Sequence, residues 1–329
     1  MTLTRLLTRT EIARLIDIET AVAAVEDAFR RLGEGRAPDP AVLGYRSGAG
    51  GFHVKAARLD LDGAYFAVKC NGNYADNPGT RGLPSIQGAI LLCDGEDGRL
   101  LAVMDSVEIT AQRTAAATVV AARRCARAES AVVTVCGCGV QGRSQLRALA
   151  REFELRRVYA WDVRPEAART YGREMSSELG VAVEPIGRLR DATLRSDIIV
   201  TCTSSRSWFL GAADVAPGTF VAGVGADSET KQELEPGLLG ASLVIVDVLE
   251  QAAQIGDLHH ALASGVMTRA DVTAELGEVV CGRKPGRCSA DDIVVFDSTG
   301  TALQDVALAA CVFRRATEAS TGLALDFMS

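Results

Sequence analysis

The sequence predicts an α/β protein: a Rossmann-type doubly wound parallel sheet plus a smaller α+β part. Two observations carry this, and a third bounds it. From 131 to 300, apolar runs alternate with helical patterns: AVVTVCG, RSQLRALAREF, RRVYAWDV, PEAARTYGREMSSELG, DIIVTCTS. Strands that alternate with helices build parallel sheets covered on both faces. GCGVQG lies between the first strand run and the first helical run, where a dinucleotide-binding turn belongs. The chain has 329 residues, more than one core normally serves, so two domains are expected.

The elements follow in order. Thr8 and Glu11 form a capping box, the Glu side chain reaching back to the cap amide. Ile12, Leu15 and Ile16 follow at helical spacing. Ala21, Val22, Val25, Ala28, Phe29 and Leu32 mark one face of a second helix, which Gly33 ends. Between 40 and 104 the runs AVLGYRS, GGFHVKAARL, AYFAVKC, SIQGAILLCD and RLLAVMD are short and broken by Gly, Asp, Asn and Pro, the pattern of an antiparallel sheet. NGNYADNPGTRGLP, residues 71–84, reads as an irregular polar loop, either functional or a plain surface excursion. A helix is expected from about Glu108 to 126, with Arg113 and Thr114 near its first turns and alanines that allow close packing. In the parallel part, the helix after the glycines is expected to start near Arg143. Pro165 suits the first turn of the next helix. VAVEPI is a short strand and GRLRDATLRS a helix, and TFVAGVGA and LVIVDVLE are strands. DIVVFDSTGTALQDVALAACVFRRATE reads as strand, turn and long helix.

The glycines have separate jobs. Gly137 allows the tight turn, Gly139 lets the backbone approach a pyrophosphate, and Gly142 lets the helix lie close to the strand. The amides of the following turn, at Val140 and Gln141, face the phosphates with the helix's partial positive charge behind them. Asp162 ends the second strand twenty positions after Gly142. Its carboxylate can accept from the adenosine ribose hydroxyls and would repel a 2′-phosphate, which favours NAD over NADP. Arg164, two residues on, softens that preference.

Composition excludes several classes. Lys and Arg number 35 against 42 Asp and Glu, a net charge of −7, so the chain lacks the cationic excess of a general nucleic-acid binder or an anionic-membrane binder. The nine cysteines sit mostly in apolar runs and read as small buried hydrophobes in a reducing compartment. Neither Cys136–Cys138 nor His259–His260 has partners at ligand spacing, so no metal is expected. No segment offers about 20 continuous apolar residues and no cleavable leader is evident, so a cytoplasmic protein is expected.

The motifs GLPSIQGAILLCD, LLAVMDSVEITAQRTAAA, CGCGVQGRSQL, VGADSETKQEL and IVVFDSTGTALQDVA resemble, in this order and spacing, the ornithine cyclodeaminase/mu-crystallin family, which includes an archaeal type of alanine dehydrogenase. The resemblance spans nearly the whole chain. It implies a substrate-binding and dimerisation domain from 1–126 plus 307–329, a nucleotide-binding domain from 127–306, a substrate cleft between them, and a homodimer. It also implies hydride transfer at the alpha carbon of an L-amino acid or its imine, of cyclodeaminase or amino-acid dehydrogenase type. The alternatives are an imine or ketimine reductase, or a non-catalytic NAD(P)H and small-ligand binding protein.

By the same resemblance, Asp227 in the GADSETKQEL motif is the catalytic acid and Lys69 a second catalytic group. Arg113 of RTAAA and, less directly, Arg46 bind the substrate carboxylate. Thr114, Thr203 and Ser298 join the glycine turn, Asp162 and Arg164 in holding the cofactor. Two departures stand out. Where the family commonly has R-x-M-P, this chain has His53 and, two positions on, Lys55; alternate strand residues share a face, so both are candidates for reading a different substrate. The loop after Asp227 also lacks the frequent Pro-Gly.

Overall fold

A computed structural model describes residues 3–327 of the chain. It contains two compact units, Met1–Arg113 with Thr301–Ser329, and Thr114–Gly300.

The first unit is built on a seven-stranded sheet in the order Leu323–Leu325, Thr4–Leu7, Leu100–Asp105, Ile86–Asp94, Gly63–Asn73, Gly50–Leu61, Ala41–Ser47. Every neighbouring pair is antiparallel except Thr4–Leu7 with Leu100–Asp105. The two short strands nearest the termini extend the sheet expected from 40–104; four and three residues are too few to show a period of two. The segment 71–84 is more regular than its composition suggests. Asn71–Asn73 completes a strand against Ile86–Gly88, and Asn77–Thr80 makes one helical turn. Ladder pairing there overrides the low strand preference of Asn and Gly.

Register sorts the side chains of this sheet into two faces. Ala57, Leu59, Tyr65, Ala67, Ile90, Leu92 and Met104 share one face and are buried. The helix Ala302–Glu318 packs on that sheet and against the helix Ile18–Gly33. Burying each large aliphatic side chain contributes about 1.5–3 kcal/mol. Ala302–Glu318 is buried along nearly its whole first three turns, as an all-round apolar helix should be. Asp305 is an ionisable exception in that stretch, and its setting matters below. The capping box of Thr8 and Glu11 is present, with the Thr8 amide donating to Glu11 Oε2 at 2.8 Å.

The second unit holds an eight-stranded, wholly parallel sheet in the order Ala274–Glu275, Leu243–Val246, Val294–Asp297, Phe220–Gly223, Ile198–Thr201, Val132–Cys136, Arg157–Trp161, Val183–Pro185. The central strands are buried throughout, as continuous apolar runs predict. Chain order reverses at Val132–Cys136, which has its successor Arg157–Trp161 on one side and Ile198–Thr201 on the other. Such a reversal opens a crevice at the strand C-termini. The helix after the glycines, Val140–Glu152, begins three residues before the expected Arg143, because Gly139 serves as its N-cap. The expected helix 187–196 shrinks to Leu189–Thr193.

All nine cysteines are free thiols, with Cys125, Cys136, Cys138 and Cys311 buried, but Cys70 and Cys288 are exposed, against the reading of cysteine as a core residue. Among the described residues no helix is long and apolar enough to cross a membrane.

Candidate functional site

The candidate residues fall in both units, and each unit holds its own constellation.

In the second unit the site starts at the end of strand Val132–Cys136. Gly137 has φ +104°, a backbone state that a side chain disfavours, and its amide donates to the Trp161 carbonyl at 2.8 Å. A Cβ on Gly142 would stand 2.1 Å from the Gly137 carbonyl oxygen, so this glycine sets how closely helix and strand approach. Gly139 differs: a Cβ there would meet nothing within 4 Å. Gly139 and Val140 are exposed, and the N-cap makes no side-chain hydrogen bond to the first turn. Free amides, the positive end of a helix and open space therefore coincide at the sheet's reversal, and a pyrophosphate fits that combination. Gln141 lies in the same turn, and its buried Oε1 has no hydrogen-bond partner.

Asp162 follows strand Arg157–Trp161. Its Oδ2 accepts from the Cys138 amide at 3.0 Å and its Oδ1 from the Arg164 amide at 2.9 Å. The carboxylate thus ties the glycine turn to the next strand, and each oxygen keeps acceptor capacity for a ribose hydroxyl. The Arg164 side chain is 79% exposed, with Nε 3.8 Å from Asp162 Oδ1. Thr114 is buried in the helix Ser106–Cys125. Ser298 is buried, its amide donating to the Gly223 carbonyl at 2.8 Å while its Oγ has no partner.

Thr203 is held by a residue that sequence reasoning passed over. Glu233, fully buried, accepts from the Thr203 amide and hydroxyl at 2.5 and 2.6 Å, from the Thr201 hydroxyl at 2.7 Å and from the Gly225 amide at 2.9 Å. Burial pushes its carboxyl up, and the four donors pull it back. Two strand ends are thereby joined to the loop that carries Asp227. Asp227 is 34% exposed, and Lys231 Nζ stands 2.6 Å from its Oδ1. His260 donates from Nε2 to the Lys231 carbonyl at 2.8 Å, bracing that loop from behind.

In the other unit the strand pairs set His53 opposite Asn71 and Lys55 opposite Lys69, on the face that also carries the buried apolar residues. Arg46 pairs with Gly51 on the same face and is exposed at the hairpin end. Lys55 is buried. Lys69, 3% exposed, was expected at a strand end; it lies inside a strand that runs on to Asn73. Its Nζ is 2.9 Å from Asp305 Oδ1 and 2.7 Å from Oδ2. Arg113, also buried, donates from Nε to Asp305 Oδ1 at 3.1 Å and from Nη1 to Gln304 Oε1 at 3.0 Å. Burial lowers the Lys69 ammonium to about 7, with Asp305 opposing and Arg113 and Lys55 assisting. Burial pushes Asp305 the other way, but Lys69 and Arg113 outweigh it and hold the carboxyl below its usual range.

Sequence reasoning singled out neither Asp305, Gln304, Lys231 nor Glu233. Signals existed: Asp305 is a lone charge in the apolar run LQDVALAACV, and Lys231 and Glu233 occupy the K-x-E-L end of the Asp227 motif. Among the described residues no group of three or more His, Cys, Asp or Glu could hold a metal ion.

Comparison with known proteins places these features in a lineage. A profile of the ornithine cyclodeaminase/mu-crystallin family matches residues 3–320. Alanine dehydrogenase of Archaeoglobus fulgidus is 37% identical over 327 residues, covering 98% of this chain and 98% of its own. An archaeal alanine dehydrogenase dimer with bound NAD superposes with a TM-score of 0.93 at 37% identity, over 99% of this chain and 100% of that one. The Δ1-pyrroline-2-carboxylate reductase of Thermococcus litoralis, in complex with NADH and L-proline, gives 0.93 at 31% identity, over 97% and 99%.

Proposed function

The chain belongs to the ornithine cyclodeaminase/mu-crystallin family, and on that premise we propose that it is an NAD-dependent enzyme that moves a hydride to or from the alpha carbon of an amino acid or its imine. The relatives named above are an alanine dehydrogenase and a reductase seen with NADH and L-proline. Alanine and proline share a nitrogen and a carboxylate on one carbon, and this chain's residues suit those groups. The observation that carries the reading is the buried arrangement of Lys69 and Arg113 on Asp305.

Bound NAD supplies the hydride acceptor or donor, and the chain's own residues supply the rest. Arg113 uses Nε and Nη1 on the protein, and we assign its remaining nitrogen, Nη2, to a charge-assisted bond with the substrate carboxylate. Lys69, poised near neutrality, takes the proton from the substrate ammonium in oxidation and returns it in reduction. Asp227 stabilises the positive charge of the forming iminium. His53, Lys55 and Arg46 read the remainder of the substrate. In the nucleotide unit the Gly137–Gly142 turn with Val140 and Gln141 holds the pyrophosphate, Asp162 the ribose, and Thr114, Thr203 and Ser298 the rest of the cofactor. The charge of Asp162 favours NAD, and exposed Arg164 leaves NADP a weaker substitute.

The setting we propose is a cytoplasmic homodimer, which nine free thiols and an apolar outer sheet face support. Leu43, Tyr45, Phe52, Phe66 and Leu91 all lie on the side of the sheet opposite Lys69, and all are exposed.

One experiment tests the reading. The protein is mixed with NAD and a panel of L-amino acids while nicotinamide absorbance and ammonia are followed. Rising absorbance with ammonia marks a dehydrogenase; ammonia without absorbance change marks a cyclodeaminase, formally a lyase; NADH consumption with added imine marks a reductase. Tight NADH binding with none of these responses overturns the enzymatic reading.

A further inference from the structure

We propose that Asp305 is the positioning residue of this site: one carboxylate on the helix Ala302–Glu318 that holds Lys69 and Arg113 in fixed relation and sets when Lys69 can exchange a proton. The proposal rests on the reading above, in which Lys69 and Arg113 meet the substrate.

Three observations support it. Asp305 is 1% exposed and contacts both cations, Lys69 Nζ at 2.9 and 2.7 Å and Arg113 Nε at 3.1 Å. Neighbouring Gln304 takes Arg113 Nη1 at 3.0 Å, so two consecutive residues of one helix fix two edges of the guanidinium. The helix is buried around them, which gives the carboxylate little freedom to follow a displaced partner.

The charged and polar groups that face Lys69 come from three elements, while the strand Ile86–Asp94 sets apolar Ile90 opposite it. Lys55 lies on the adjacent strand, Arg113 and Thr110 on the helix Ser106–Cys125, with Thr110 Oγ1 at 3.5 Å, and Asp305 on the terminal helix. Burial and the two neighbouring cations favour the neutral amine, and among the charged groups here Asp305 favours the ammonium. With the carboxylate present both protonation states are accessible near neutral pH. A neutral Lys69 can accept the substrate's proton while an Asp305 oxygen accepts one of its N–H groups.

The test compares Asp305→Asn, Asp305→Glu, Gln304→Leu and Lys69→Met, with NADH fluorescence titration as the check that the nucleotide unit is intact. In D305N the pH inflection of kcat/KM for amino-acid oxidation moves at least about one unit towards acid, because the ammonium has lost its counter-charge. Its kcat/KM falls about 100-fold, as expected when one partner of a buried ion pair is removed. Gln304→Leu raises KM for the amino acid and leaves the inflection in place, since it releases Arg113 alone. Asp305→Glu keeps the charge and displaces it by one methylene, so the inflection stays near that of the parent while kcat/KM falls; this variant also serves if D305N does not fold.

An unmoved inflection in D305N, an inflection in Q304L that moves as far as in D305N, or parental kinetics in D305E each overturns the proposal. K69M separates the two claims. If K69M is inactive and the D305N inflection is unmoved, only the role of Asp305 falls. If K69M turns over like the parent, the proton-transfer role of Lys69 falls and this proposal with it, while the hydride-transfer reading stands on the turnover itself.

Discussion

Lys69 shows how opposing effects of similar size make a side chain useful. A lysine in water titrates near 10.4. Full burial beside two more cations brings this one down to about 7, and a single carboxylate keeps it from falling further. Asp227 has a different environment, one third exposed and paired with Lys231 on its own loop. Its partner Lys231 lies on the same loop, whereas the glycine turn is tied to Asp162 and Trp161, so Asp227→Asn should reduce turnover by about 100-fold or more, the order seen when a charge-stabilising group is lost. NADH affinity should change less than about threefold, under 1 kcal/mol. Steady-state kinetics with a fluorescence titration of NADH measures both, and turnover equal to the parent would remove Asp227 from the chemistry. Both residues stand out in the primary structure, through the GADSETKQEL motif and the family resemblance. Their partners were harder to find. Asp305 is separated from Lys69 by 236 positions, and no local pattern links the two.

At the scale of elements, the parallel sheet was largely legible. Its strands are short apolar runs bounded by helices, and period and length are local properties. The boundaries that moved did so for local reasons as well: Gly139 caps a helix that pattern alone would start at Arg143, and ladder pairing carries Asn71–Asn73 into a strand. The ends of those parallel strands hold a feature that pattern reading missed. Asp257 Oδ1 accepts from the Glu233 and Leu234 amides at 2.8 and 3.0 Å, while its buried Oδ2 has no partner. Asp297 accepts from the Leu258 amide at 2.8 Å beside it. Burial first, then mutual repulsion with Asp297 and Glu233, raises Asp257 far above the carboxylate range. Burial likewise brings Asp297 up to about 7.

These raised carboxyls bind protons in the folded state that the unfolded chain releases. Their contribution to stability is therefore complete below about pH 4, the ordinary carboxylate range, and is lost as pH rises through about 7 and beyond. Asp257→Asn keeps the amide acceptor and cannot ionise. Urea unfolding at pH 5 and pH 8 should show the parent losing more stability than the variant between the two, by about 1 kcal/mol for each pH unit over which the unfolded carboxyl is ionised and the folded one is not. Equal losses would mean that the folded Asp257 carboxyl is already ionised at pH 5.

At the scale of the whole molecule, the exposed outer face of the seven-stranded sheet is the feature with the largest consequence. Tyr45, Phe52, Phe66 and Leu91 form an apolar surface of the kind that monomeric proteins seldom leave open. Light scattering should give a mass of twice 34.6 kDa for the parent chain, and Phe66→Glu should shift it towards the single-chain mass by burying a charge at the contact. A monomeric parent would end the dimer proposal. What could be read along the chain were the properties carried by neighbours in sequence: the alternation of strand and helix, the glycine turn with its acid twenty positions on, the capping box of Thr8 and Glu11, the lack of a long apolar span. What needed the folded chain was every contact closed over a long loop. Sheet register puts Lys55 beside Lys69, and the terminal helix brings Asp305 to both cations. Such pairings depend on which faces are buried together, and a linear pattern records the tendency of a residue to be buried but not the partner it meets there.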